Sequence, residues 1–249
     1  MTLRKPYSFT LVSALFVLAA VAQCVAADLW VAATDPAIVT NNDCGQIAAI
    51  SGRPMIRRSF HTGDAEGVAA NIADRISSGD ELVVPAGSRI EWITGVNTVA
   101  VLGSGGRVRF DGLRTFVNAD GMETARLDVT VLAGEARVQV RLNESKPETV
   151  LAVLGGAEIL VARGDVELFA NGSWRGAVLA GQAAARNRRG AMPGAPFAIN
   201  AGTIVDVSGE SRLSTEETNA IKLRVPFSFE SARAALPPIP AVSIEMEAP

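Results

Sequence analysis

Short stretches that alternate polar and apolar residues, cut by glycine at close intervals, constrain this chain more than any other feature. Arg126-Leu127-Asp128-Val129-Thr130-Val131-Leu132 alternates cleanly, and so does Ala136-Arg137-Val138-Gln139-Val140-Arg141-Leu142. Successive side chains of a strand point to opposite faces, so such a stretch buries one face and wets the other. Further runs lie at Glu81-Leu82-Val83-Val84, Arg89-Ile90-Glu91-Trp92-Ile93, Thr98-Val99-Ala100-Val101-Leu102 and Arg107-Val108-Arg109-Phe110. Glycines between them, from Gly79 to Gly134, fall about every 8–12 residues, the pattern of an all-β sandwich or barrel. The expectation is an all-β fold: a sandwich or jelly-roll-like sheet system of short antiparallel strands with hairpin turns and few short helices.

A weak internal recurrence fits that reading. The element Val-Leu-small-small occurs at Val101, Val131, Val153 and Val178, at intervals of 30, 22 and 25 residues. Small residues release the backbone, so each copy predicts a strand running into a hairpin corner. The unequal intervals exclude a strict solenoid. Gly103-Ser104-Gly105-Gly106 is read as a hairpin turn, because a phosphate loop would end in Gly-Lys-Ser/Thr and lead into a helix. Two stretches have helical spacing. Val68, Ile72 and Ile76 lie four apart behind Asp64, although a strand over 73–76 fits nearly as well. Ser214 with Glu217 is a capping-box spacing ahead of Ile221 and predicts a brief peripheral helix.

The first 27 residues read as a secretory signal. Arg4 and Lys5 give a positive start, Phe9 to Ala22 is uncharged and mostly apolar, and Val25-Ala26-Ala27 are small. Cleavage after Ala27 is the expectation, with an uncleaved N-terminal anchor as the rival. The product is then periplasmic or secreted, and it meets the membrane only if the segment stays uncleaved. Residues 28–45 form a lead-in, 46–213 the β domain, 214–235 a C-terminal extension and 236–249 a proline-rich tail. Without the signal, 21 basic residues face 26 acidic ones. A net charge of about −5 gives no broad attraction for nucleic acid.

Cys44 is the one cysteine beyond the signal segment. It is either a buried thiol or a partner in an intermolecular disulfide, and the polar run Asn41-Asn42-Asp43 before it favours exposure.

Catalytic chemistry has little to work with. A single histidine, His61, in a polar turn, excludes a multi-histidine metal site, and one cysteine excludes a thiolate zinc site. No nucleophile motif accompanies His61. Asp80 with Glu81, and Asp165 with Glu167, are carboxylate pairs that a hydrolase could use only if they met in a cleft. Asp165 and Glu167 share one face of a strand, commonly a solvated one. The arginines Arg186, Arg188 and Arg189 lie in a loop-like stretch without interleaved aromatics and read as solvated. The expectation is a chain that is not an enzyme, with no catalytic residues, no cofactor and no metal. A contact surface is expected at Trp92, Arg107 and Arg109, with the core as the alternative place for Trp92 and plain salt bridging the alternative for the arginines.

The order of motifs over residues 46–182 resembles the FecR domain, the periplasmic module of iron-dicitrate-type regulators. Ile47 to Arg57, with Ser51-Gly52-Arg53-Pro54, resembles its opening strand and turn. Arg75 to Leu82 resembles its Gly-Asp step, followed by Ser88-Arg89-Ile90-Glu91-Trp92. Val131 to Val138 resembles the strand that opens its second half. Ala162-Arg163-Gly164-Asp165-Val166 is similar to its Arg-Gly-Thr segment, with Asp165 where threonine is usual, and Leu179-Ala180-Gly181-Gln182 to its closing turn. The resemblance implies a β-rich, non-catalytic module that binds an envelope protein or a cell-wall polymer, or relays a signal. The family's regulators carry a cytoplasmic anti-sigma segment before a membrane helix. Here about eight residues precede the apolar run, so the expectation is a module without that segment.

Overall fold

The computed structural model describes residues 39–59, 67–95, 97–117, 122–143, 145–188 and 194–226, together with 232 and 234. The expected signal segment, His61, Arg189 and the proline-rich tail lie outside these residues. The fold is all-β, a sandwich built from one large mixed sheet that is not closed. Its strands are β1 (Val39–Asn41), β2 (Asp43–Ser51), β3 (Met55–Arg57), β4 (Val68–Ala69), β5 (Arg75–Ser77), β6 (Glu81–Val83), β7 (Arg89–Thr94) and β8 (Thr98–Leu102). They continue with β9 (Arg107–Val117), β10 (Glu123–Val140), β11 (Glu148–Leu154), β12 (Ala157–Ala170), β13 (Trp174–Asn187), β14 (Phe197–Asn200), β15 (Thr203–Asp206) and β16 (Gly209–Arg212).

Three strands are long because they serve two layers. The first half of β10 pairs with β9 and, in parallel, with β11; its second half pairs with β8 and β12. The halves of β12 and β13 divide in the same way. One layer therefore runs β16-β15-β13-β12-β10-β8-β7-β2-β5, and the other β4-β3-β6-β9-β10-β11-β12-β13-β14, with β1 beside β9. Strands that change sheet need a kink at the corner. Here Gly134, Gly164 and Gly181, all at positive φ, occupy the crossings.

The two inner faces form one core, with Ile47, Ile90, Leu102, Val138 and Leu168 from the first layer and Ile56, Leu82, Phe110, Val129 and Ile159 from the second. Trp92 of β7 meets Phe110 of β9 edge to face, with ring centroids 5.4 Å apart. Such a pair adds about 0.5–1.5 kcal/mol beyond the area it buries.

Several expectations change. The strands are not all short, since β10 has 18 residues, and the β10–β11 pairing is parallel. Of the four Val-Leu-small-small corners, only Leu154-Gly155-Gly156-Ala157 is a hairpin turn. Those at Val131 and Val178 lie inside β10 and β13, where the strand bends without ending. Gly103 to Gly106 joins β8 of one layer to β9 of the other, and the two strands do not pair with each other, so the segment is not a hairpin turn. Val68 and Ile76 stand in strands, not in a helix. The sheet also begins earlier than residue 46, since β1 and the start of β2 fall in the expected lead-in.

Beyond β16 the chain forms a helix, α1 (Thr215–Arg224). Ser214 accepts the Glu217 N–H while the Glu217 carboxylate accepts the Ser214 N–H, the full capping box. Ile221 packs on Ala177 and Ile204, on the outer face of the first layer. Val225 and Ala232 are also buried, Ala232 against Ala48, Ile93 and Val99. The extension thus contacts the first layer near β15 and again, at Ala232, near β2 and β7.

Candidate functional site

Two groups of charged side chains stand on the outer faces. On the second layer, β3, β6 and β9 bring Arg57, Glu81 and Arg109 into one row by register. Glu81 accepts from Arg107 Nε at 2.7 Å and Arg57 Nη1 at 3.4 Å. That hydrogen bond raises the Arg107 pKa further. Arg109 Nε donates to Asp111 at 2.7 Å and its Nη2 to Thr130 Oγ1 at 3.3 Å, while the Thr130 hydroxyl donates to Asp111 at 2.6 Å. The side chains of Arg57, Arg107 and Arg109 remain 36%, 44% and 48% exposed. Next to them Asp128 takes both Arg114 and Arg126, and Arg126 lies 4.7 Å over the Phe116 ring. An arginine held at its Nε by a carboxylate is already oriented, so less freedom is lost when its fork meets an anion.

The sequence brought Arg107 and Arg109 to one face, and the structure keeps them there. Trp92 does not join them. It is 2% exposed, because its strand faces the core at that position, so the core alternative holds and the contact-surface reading is corrected.

Asp80 and Glu81 make no acid pair. Consecutive residues of a strand face opposite sides. Asp80 points inward, fully buried, and accepts from the N–H groups of Ser59 and Ser77 and from Arg58. It ties the Gly-Asp step to its neighbours.

The second group lies between the first layer and the C-terminal extension. Arg137 grips Asp165 with two hydrogen bonds, the Nε one at 2.7 Å, and donates to the Val225 carbonyl at 3.0 Å. Gln139 adds a donor to Asp165 at 2.9 Å. Arg224 of α1 reaches Glu135 at 3.1 Å and Glu167 at 3.6 Å, and Arg175 donates to Glu167. Asp165 and Glu167 do share one face, but that face is covered and each acid holds an arginine. Glu167 is fully buried, and its pKa is pushed up to about 7, by burial first and by neighbouring Glu135 against the pull of Arg175. Sequence reasoning missed Glu135, Arg137, Arg175 and Arg224. Arg224 and Glu135 are 89 positions apart, and only the fold of the extension joins them.

Cys44 is fully buried, with its thiol pKa pushed up to about 12 by burial and then by Asp43. The intermolecular disulfide is corrected accordingly: the side chain starts β2 facing inward, and its thiol is not presented to another chain. Arg186 is in β13 and pairs with Glu158, which Arg188 also meets at 3.2 Å, and the Arg188 N–H bonds to the Gly156 carbonyl, so this end of the arginine cluster continues the β12–β13 ladder and is not a free loop. Among the described residues no group of three or more His, Cys, Asp or Glu is placed to hold a metal ion. Among them, too, no helix is long and apolar enough to cross a membrane.

No family model matches the chain, and no curated protein matches it significantly. Two solved structures of a proposed anti-sigma factor from Parabacteroides distasonis are similar to it, at 16% and 17% identity and a TM-score of 0.40 each. The match covers 56% of this chain and 63% or 62% of that one, so the chain spans less than two thirds of the protein it resembles.

Proposed function

We propose that this chain is an exported, non-enzymatic envelope module, FecR-like in its order of turns, which binds an envelope protein or a cell-wall polymer through the face of β3, β6 and β9. One observation carries the reading: Arg57, Arg107 and Arg109 stand in neighbouring strands, a third to a half exposed, each oriented by a carboxylate beside it. Arginines so arranged suit carboxylate or phosphate groups, which cell-wall polymers and acidic protein loops both offer. The carboxylates weighed for catalysis support the same reading, since Asp80, Asp165 and Glu167 each hold an arginine.

The test is co-sedimentation with purified cell-wall sacculi, beside affinity capture from envelope extract, for the native chain and for Arg107→Glu with Arg109→Glu. The reading expects retention that the double reversal abolishes. Retention no better than a control protein in both assays sinks it. Export is tested by N-terminal sequencing from fractionated cells. A start at Asp28 in the soluble envelope fraction supports the free module, and a start at Met1 in the inner membrane supports an anchored relay.

A further inference from the structure

Among the described residues the sheet has five edge strands, the three-residue β1 beside β9 and four at the ends of the layers, and these differ in what they offer. β5 holds the fully buried Ile76, and its backbone groups are already taken, the Arg75 carbonyl by Arg58 and the Ser77 N–H by Asp80. β14 carries buried Ile199, and β4 has only two residues. β16 pairs with β15 alone, and its four residues Gly209, Glu210, Ser211 and Arg212 are all exposed. An exposed edge offers its free N–H and C=O groups to another strand.

We propose that β16 pairs antiparallel with β16 of a second copy of this chain, about a two-fold axis through Ser211, so that the first layers of two copies join into one sheet. The register follows from the side chains. Val205, a core residue, stands opposite Glu210, and Ile204, which touches α1, stands opposite Ser211. Glu210 and Arg212 therefore share the inner face and Ser211 the outer one. A two-fold axis normal to the sheet keeps inner faces together only when it passes through a residue. Centred on Glu210 it opposes two glutamates, and centred on Arg212 two arginines, both unfavourable.

Centred on Ser211 it places Glu210 of each copy opposite Arg212 of the other. It also sets Leu213 opposite Gly209, where no side chain obstructs it. Edge charges usually keep sheets apart. Here their order along the strand makes them complementary in this one register. The surface is distinct from the arginine face, so either can fail without the other.

The experiment is analytical ultracentrifugation of the full chain over a wide concentration range, with three variants. Arg212→Glu opposes acids on both sides of the axis and weakens the dimer about tenfold or more, since each cross-strand pair contributes up to about 1 kcal/mol. Adding Glu210→Arg to it restores the complementarity and the dimer. Ser211→Cys brings two thiols onto the axis, about 4.5–5.5 Å apart at Cα, a span that a disulfide closes. Oxidation then yields a covalent dimer that the native chain, treated alike, does not form. A native chain that stays monomeric throughout overturns the proposal. So does a dimer indifferent to Arg212→Glu, or a Ser211→Cys variant that does not cross-link while its circular dichroism is native.

Discussion

Gly164 of β12 and Gly181 of β13 stand opposite one another where both strands pass from one layer to the other. A Cβ on Gly164 would lie 2.0 Å from the Ala180 carbonyl oxygen, and one on Gly181 would lie 2.3 Å from that of Arg163. Both residues also hold positive φ. The bend depends on two backbones approaching where neither has a side chain.

Gly164→Ala is therefore expected to destabilise the fold by well over 1 kcal/mol, because it adds both a clash and an unfavourable φ. Urea denaturation measures it. A variant as stable as the native chain would mean that the corner does not need glycine.

Arg137 holds Asp165 and the Val225 carbonyl together. Arg137→Met leaves the poorly solvated Asp165 without this ion pair, with Gln139 still donating to it, and should cost roughly 3–5 kcal/mol. Combining it with Asp165→Leu, which removes the orphaned charge, should recover most of that loss. Equilibrium unfolding of the two variants decides the point.

Glu167 predicts a dependence on pH. Burial raises its pKa from 4.5 to about 7, so the native chain keeps a proton that the unfolded chain has released. Its contribution is full below about pH 4.5 and is lost as pH rises towards 7, at up to about 1.4 kcal/mol per pH unit. Arg175, Arg224 and Glu135 face it and share in the effect. Glu167→Gln should lack this slope between pH 5 and 7, and parallel stability curves for variant and native chain would contradict the assignment.

Cys44, buried and protonated, should resist alkylation in the folded chain and react fully in denaturant. Mass spectrometry of the peptide containing Cys44 reads the outcome, and modification under native conditions would place the thiol at the surface.

Much of the framework was legible in the order of residues. Alternation over 126–132 and 136–142 marked strand faces, and both stretches lie largely in β10. The spacing of Ser214 and Glu217 located the start of α1, because a capping box is closed by residues three apart. The four small-residue corners predict hairpin turns, and only the one at Leu154 turns back. Whether a chain turns back or carries on is not legible at such a point, since a glycine frees the backbone in either case. The candidate contact surface was half legible: period two put Arg107 and Arg109 on one face, but it left open which face of β7 would receive Trp92.

Local periodicity thus determined that the chain is all-β and which residues share a face. Tertiary structure decided which face is inside, sending Trp92 and Cys44 to the core and leaving Arg107 and Arg109 at the surface. It also decided that Glu167, on a polar face, would be sealed by an extension that begins some 47 residues later in the chain. The physical reason is range. Strand alternation is set by adjacent peptide units, whereas burial depends on which distant segment comes to lie on each face.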